Sequence, residues 1–200
     1  MSSEGPPELR KVSDARTLRA LAHPVRIALI EELTVHGPMT ATEVGERIGE
    51  TPTTCSFHLR QLAKYGFVEE AGGGKGRARP WRMTSIGMDI SGEDPEAQMA
   101  SDAVMRVFRE RSFARYQEWQ RAKAAYPREW RDVALNSDYV LYATPEELKR
   151  VNEALHAVLI RFHDRLEDPS KRPPGSLPVE TMLLSYPIEP PGPAEDGEDG

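Results

Sequence analysis

Two short helical patterns, separated by about three residues, constrain the fold of this chain more than any other feature. Thr40 and Glu43 form a capping box at the start of the first pattern, and Gly49 ends it. Thr51 and Pro52 then begin the second pattern as a cap and a first-turn proline. So short a connection holds the two helices at a steep angle, and the spacing predicts a helix-turn-helix.

Two further helices are predicted before this pair. Ser13 or Asp14 can cap a short helix that ends near Leu21, and Pro24 can open a second helix reaching about Val35. On the last of the four helices, Cys55, Leu59 and Leu62 recur at helical spacing and predict its buried side.

A basic hairpin is predicted directly after the fourth helix. Residues Phe67 to Ala71 and Pro80 to Thr84 read as strands, and the loop GGGKGRAR between them contains three cations and no acidic residue. Helices in this order, followed by such a hairpin, indicate a winged helix-turn-helix. The fold class is therefore mainly α (α+β), with a two-stranded wing in the N-terminal part.

The second half of the sequence predicts a helical region with one or two short strands. One long helix is expected from Asp94 to about Ala125, with Met105, Phe108, Tyr116, Trp119 and Tyr126 on one side. A second is expected from Thr144 to Leu166, and strands are expected at 138–143 and 179–186. The domains are then a disordered N-terminus (1–8), a winged helix-turn-helix (9–90), a helical dimerisation and effector region (94–187) and a disordered acidic tail (188–200).

The charge of the chain is unevenly distributed. The net charge is −6, but residues 8–85 contain 12 Lys and Arg against 9 Asp and Glu, whereas residues 86–200 contain 14 against 22. A locally basic unit can approach phosphates although the whole chain is acidic. The start, MSSEGPPELRK, has no apolar core of the kind that signal sequences have, no apolar run is long enough to span a membrane, and Cys55 is the single cysteine. These features predict a cytoplasmic protein.

The side of the fourth helix opposite its apolar stripe is the predicted DNA-reading surface. It offers short hydrogen-bonding groups, an arginine that can bridge a guanine, and Phe57, which can contact a thymine methyl or pack against protein. His58, at the edge of the stripe, is equally compatible with a phosphate contact and a structural role. The candidate DNA-binding residues are Thr53, Thr54, Ser56, Phe57, His58, Arg60, Gln61 and Lys64 on the helix and Lys75, Arg77 and Arg79 in the wing.

The ordered segments LRALAHPVRIALIEEL and MTATEVGERIGETPTTCSFHLRQLAKYGFVEE, followed by the basic hairpin, resemble the ArsR-type winged helix-turn-helix regulators over roughly residues 13–87. The resemblance implies that Thr51 to Tyr65 is the recognition helix and that flanking helices form a two-fold dimer. The second half resembles, more faintly, C-terminal extensions of actinobacterial relatives.

The metal-sensing pattern of that family is absent from this sequence. The helix before the recognition helix has no cysteine pair, and residues 96–125 contain no histidine. His156 and His163 alone are too few ligands for a metal, and Cys55 is expected to be a small buried hydrophobic residue. No metal or other cofactor is therefore expected.

The leading hypothesis is a homodimeric bacterial transcriptional regulator, a repressor rather than an activator, that binds a palindromic operator in double-stranded DNA. The two long C-terminal helices would supply the dimer interface and a cavity for an unknown small-molecule effector. The alternative is a winged-helix module that binds protein without binding DNA. An enzyme is not expected, because the sequence contains no nucleophile–base spacing and no phosphate-cradling loop that opens a helix.

Overall fold

The computed structural model describes residues 9–72, 79–85 and 87–190. Its helices are α1 (Ala15–Leu21), α2 (Pro24–His36), α3 (Ala41–Ile48), α4 (Pro52–Lys64), α5 (Pro95–Ala122), α6 (Arg128–Val133), α7 (Pro145–Leu159) and α8 (Asp164–Glu167). Its strands are β1 (Arg10–Val12), β2 (Val68–Glu70), β3 (Trp81–Met83) and β4 (Met88–Ile90). Single 3₁₀ turns occupy Lys123–Ala125, Ile160–Phe162 and Pro169–Lys171. The mainly helical fold class with a two-stranded wing is confirmed.

The starts of the first four helices follow the sequence signals. Asp14 accepts a hydrogen bond from the Thr17 amide at 2.8 Å, and Thr40 and Glu43 form the reciprocal capping box at the start of α3. Gly49 ends α3 with φ of +73°, a conformation that costs glycine little. Thr51 then caps α4. Because each cap satisfies amides that the helix cannot satisfy itself, these local signals determine the boundaries.

The wing is an antiparallel pair in which Val68 lies opposite Met83 and Glu70 opposite Trp81. Backbone hydrogen bonds from Ala71 to Pro80 (2.7 Å) and from Thr84 to Phe67 (3.2 Å) continue the pairing over the two predicted strand spans. Met39 and Trp81 exchange two backbone hydrogen bonds, which tie the segment before α3 to β3.

One hydrophobic core joins α1–α4, the base of the wing and the first turns of α5. Leu18, Leu29, Leu59 and Phe67 are among its fully buried side chains. The N-terminal part of α5 packs against α1, and its buried side consists of Ala97, Ala100, Ser101 and Val104. Phe108, from the predicted aromatic side of this helix, is partly buried against the same core, and Tyr116 and Trp119 are half-buried further along the helix.

A parallel pair outside the wing was not predicted. β1 lies beside β4, with Arg10 opposite Met88 and Val12 opposite Ile90. This pair brings the segment before α1 next to the segment before α5. The pairing joins residues nearly 80 positions apart, and strands of three residues have too little pattern to be recognised from sequence.

An ionic cluster connects α2, α5 and the C-terminal segment. Glu31 on α2 accepts hydrogen bonds from Arg111 and Arg115 on α5, both at 2.8 Å. Arg115 also donates to Glu180 at 2.5 Å, and Ser112 donates to the same carboxylate at 2.8 Å. Hydrogen bonds to Glu180, and then to Glu31, raise the pKa of Arg115 even though burial lowers it.

The two strands predicted in the C-terminal region are wrong for this structure. Residues 138–143 and 179–186 are extended but lie outside regular secondary structure. A strand requires a neighbour for its backbone groups, and the described part of the chain brings none to either segment. The predicted helix from Thr144 to Leu166 is also divided: α7 ends at Leu159, and a 3₁₀ turn and α8 follow.

Candidate nucleic-acid interface

The candidate interface is formed by α4 and the wing. One side of α4 packs into the hydrophobic core through its own side chains Cys55, Leu59 and Leu62, which are all buried. At its start, the Thr51 hydroxyl accepts a hydrogen bond from the Thr54 amide at 3.1 Å. The turn before it is fixed by the Glu50 amide, which donates to the Gly45 carbonyl at 3.0 Å. The orientation of α4 is therefore determined by its packing and by the turn.

The outward side of α4 carries most of the predicted residues. Thr53, Phe57, Arg60 and Lys64 are exposed, and Thr54, Ser56 and Gln61 are half-buried. A shallow depression at the start of this side is lined by Pro52, Thr53, Ser56 and Arg60. The structure thus brings hydroxyls and a guanidinium together on one open surface.

Phe57 lies at the centre of this surface with 54% of its area exposed. Its ring meets the edge of the His58 ring with a centroid separation of 5.2 Å. A large aromatic side chain that is this exposed, on a helix whose other side is fully packed, is available to contact a base or another molecule.

His58, which the sequence leaves open between a phosphate contact and a structural role, does not belong to the exposed surface. It is 8% exposed, its ring lies 4.4 Å from that of His23, and Arg26 donates to its Nδ1 at 3.4 Å. Burial, followed by the nearby His23 and Arg26, lowers the pKa of His58. A neutral histidine beneath the surface cannot form an ion pair with phosphate, so the structural interpretation of this residue is favoured.

The wing is described only at its base. Lys75 and Arg77 lie outside the described residues. Arg79 is exposed and pairs with Glu70 at 2.6 Å, and Arg82 on β3 pairs with Glu69 at 2.7 Å. Such exposed pairs contribute little to stability. Both guanidinium groups can therefore exchange their carboxylate for another anion at low cost.

Two basic residues that the sequence reasoning did not select shape this region. Arg82 lies on the wing beside Arg79, but an isolated cation in a strand carries no distinguishing signal. Arg10 donates to the carbonyl of Tyr65 at 2.6 Å and to that of Gly66, and its guanidinium lies 4.4 Å above the Phe67 ring. Arg10 thereby fixes the junction between α4 and the wing, a long-range contact that no local pattern shows.

The described residues contain no group of three or more His, Cys, Asp or Glu side chains placed to hold a metal ion. Burial raises the pKa of Cys55, so its thiol stays protonated at neutral pH. None of the helices in the described ranges has the length and apolar composition needed to cross a membrane.

Comparison with known proteins gives one family match. Residues 21–71, which include α2, α3, α4 and β2, match the family described as "Helix-turn-helix domain". No match was found among curated proteins. The helix-turn-helix prediction is thereby confirmed, and the match supports a DNA-binding regulator.

Several solved structures are similar to this chain. The transcriptional repressor BigR from Xylella fastidiosa is 29% identical with a TM-score of 0.32, over 48% of this chain and 84% of that chain. The YusO protein from Bacillus subtilis is 14% identical with a TM-score of 0.33, over 72% and 80%. The transcriptional regulator Tm0710 from Thermotoga maritima is 11% identical with a TM-score of 0.32, over 76% and 85%.

Proposed function

We propose that this chain is a homodimeric transcriptional regulator that reads duplex DNA with the outward side of α4. The observation that carries the proposal is the division of α4 into two sides. Cys55, Leu59 and Leu62 are sealed in the core, whereas Thr53, Phe57 and Arg60 face outward directly after a helix-turn-helix turn. In proteins with this motif the second helix enters the major groove.

The chemistry of that side suits base edges. Arg60 can donate two hydrogen bonds to a guanine, the hydroxyls of Thr53 and Ser56 can reach bases or phosphates, and Phe57 can pack against a thymine methyl. Thr54, Gln61 and Lys64, at the edges of this side, would contact the flanking phosphates, as would the wing cations Lys75, Arg77 and Arg79.

The finer features of the proposal follow from the sequence. The resemblance to ArsR-type regulators favours a repressor, and two-fold symmetry would require a palindromic operator with half-sites about one helical turn apart. Residues 9–90 would form the DNA-binding domain, and residues 94–187 the dimerisation and effector region of a cytoplasmic protein.

The test begins with genomic fragments selected by the purified full-length chain. Affinity for the best fragment is then measured by fluorescence anisotropy over a range of salt concentrations. Arg60→Ala should weaken binding by roughly 5- to 150-fold, the equivalent of one bidentate base contact of about 1–3 kcal/mol. The matched control is Arg121→Ala, which removes the same charge from the exposed far end of α5 and should leave the affinity within about twofold.

A protein-binding module is the second candidate, and two observations favour it. Phe57 is a prominent exposed aromatic residue, and carboxylates of the wing neutralise both Arg79 and Arg82. If no fragment is selected, or if binding does not weaken with added salt, DNA reading by α4 is refuted and this second function is favoured.

A further inference from the structure

The base of the wing carries two ion pairs. Glu69 lies directly opposite Arg82 in the strand register, and the two side chains meet at 2.7 Å. Arg79, shortly before β3, meets Glu70 at 2.6 Å. Successive residues of a strand point to opposite faces, so one pair lies on each face of β2. All four side chains are between 45% and 72% exposed. Whichever face of the wing approaches DNA therefore presents a carboxylate beside a guanidinium.

The cations of α4 are arranged differently. Arg60 and Lys64 are exposed, and neither forms an ion pair with another described residue. The charges of the two pairs at the base of the wing, in contrast, sum to zero. Contacts between cations and phosphates supply nearly all of non-specific DNA binding, whereas contacts to base edges carry the sequence information. The helix that can read bases thus offers free positive charge, and the base of the wing does not.

The strength of these pairs allows them to be exchanged for phosphate only under some conditions. An exposed ion pair favours the paired arrangement by less than about fivefold, so a phosphate held against the wing can displace the carboxylate. The displaced carboxylate stays close to that phosphate, however, and the two anions repel each other. A loose complex with DNA of any sequence therefore gains little from the exchange. A complex in which α4 lies in the major groove holds the wing against the backbone, and there the exchange is favoured.

We infer that Glu69 and Glu70 are specificity-determining residues, because they keep Arg79 and Arg82 from phosphate until α4 is bound to its preferred sequence. The two carboxylates lower the affinity for DNA in general more than the affinity for that sequence. The inference rests on the proposed function, in which α4 reads bases, and adds to it a role for the acidic residues of the wing.

The first experiment compares two DNA probes with the full-length chain, a short duplex of random sequence and the selected genomic fragment. Glu69→Gln combined with Glu70→Gln should raise the affinity for the random duplex at least about 10-fold at about 0.1 M salt. The affinity for the selected fragment should rise at least about threefold less. Fluorescence anisotropy measures both affinities, and their ratio, which is the specificity, should fall.

The salt dependence gives a second readout from the same titrations. Each additional phosphate contact steepens the plot of log affinity against log salt concentration by about 0.9. With the random duplex, the slope of the double variant should therefore be steeper by up to about 1.8 for each bound chain. With the selected fragment, the slope should not change, because both arginines already contact phosphate in the parent complex.

The matched control is Glu118→Gln combined with Glu129→Gln. It removes the same two charges from exposed positions of α5 and α6, and it should change either affinity less than about twofold. An equal rise on both probes in the wing variant would show a general effect of charge, and no rise on the random duplex would show that the carboxylates restrain nothing. Either result overturns the inference.

A double-mutant cycle tests whether the carboxylates act through the two arginines. Arg79→Ala combined with Arg82→Ala should lower the affinity of the parent chain for the random duplex less than about twofold, because both arginines are paired. In the chain with the two glutamines, the same substitutions should remove the whole gain in affinity and in slope. An equal loss in both backgrounds would overturn the inference.

Failure of the proposed function gives a different result. If the parent chain prefers no genomic fragment to the random duplex, base reading by α4 is refuted, and this inference is refuted with it. If a fragment is preferred and Arg60→Ala abolishes that preference, but the wing variants behave like the control, the proposed function stands and this inference alone is overturned.

Discussion

Substitution of Gly45 by alanine tests whether the turn between α3 and α4 is as tightly packed as the structure indicates. A Cβ atom on Gly45 would lie 2.7 Å from the Glu50 carbonyl oxygen and 3.4 Å from the Cys55 sulfur. The first contact is with backbone, so it cannot be relieved by rotation of a side chain. The Glu50 carbonyl, in the turn that leads into α4, would have to move by about 0.7 Å to restore an ordinary contact distance.

Two opposing contributions determine the magnitude. Alanine in place of glycine within a helix stabilises by about 1 kcal/mol, whereas overpacking a core site costs about 1–3 kcal/mol. The net expectation is a loss of about 1 kcal/mol in the free energy of unfolding, which in a chain of this size lowers Tm by about 2–4 °C. DNA affinity should also fall several-fold, because Thr53 and Ser56 move with the start of α4.

The assays are urea denaturation, thermal melting and anisotropy with the selected DNA fragment. Gly72→Ala is the control, because a Cβ atom there meets nothing within 4 Å. Gly45→Ala combined with Cys55→Ala should regain little stability, because the backbone carbonyl remains in place. If Gly45→Ala is about 1 kcal/mol more stable than the parent, helix propensity alone governs the site and the steric reasoning is refuted.

Three further predictions concern stability. Thr51→Ala removes the cap that the Thr54 amide uses and should cost about 1 kcal/mol in urea denaturation; an unchanged midpoint would show that water replaces the cap. Since burial, with the nearby His23 and Arg26, lowers the pKa of His58 in the folded state, the unfolded chain takes up a proton first as the pH falls below about 6.5, and the free energy of unfolding decreases there. His58→Gln should reduce that decrease, and an equal decrease in both proteins would contradict the assignment. Burial alone would raise the pKa of Glu180, but hydrogen bonds from Arg115 and Ser112 keep it lowered, so the contribution of Glu180 is present above about pH 4.3 and is lost as the pH falls through its folded pKa. Glu180→Gln should therefore cost less than about 1 kcal/mol at pH 7 and progressively less as the pH falls below about 4.3, and a cost that does not change with pH would point to packing instead of charge.

The N-terminal half could be predicted from sequence because its signals are local. The Thr40–Glu43 capping box, Gly49 and the Thr51–Pro52 start place helix boundaries within one residue of those observed. Each signal acts within one helical turn, so no knowledge of the rest of the chain was needed.

The features that could not be predicted from sequence depend on contacts between residues that are distant along the chain. Burial of His58 results from His23 and Arg26 on another helix, and Arg10 reaches the end of α4 from the first described strand. The strand patterns at 138–143 and 179–186 describe side chains suited to a sheet, but whether a sheet forms depends on a neighbour that the sequence of one chain does not specify.

The cluster around Arg115 has a consequence for communication along the molecule. Glu31 lies on the helix behind α3 and α4, and Glu180 lies in the last described segment, yet the same guanidinium holds both. Any molecule that draws Glu180 away from α5 must break the hydrogen bonds that Glu180 accepts from Arg115 and Ser112. Arg115 would then be bonded to the carboxylate of Glu31 without that of Glu180. If that rearrangement alters the affinity of α4 for its target by some factor, occupancy of α4 must alter the affinity for that molecule by the same factor.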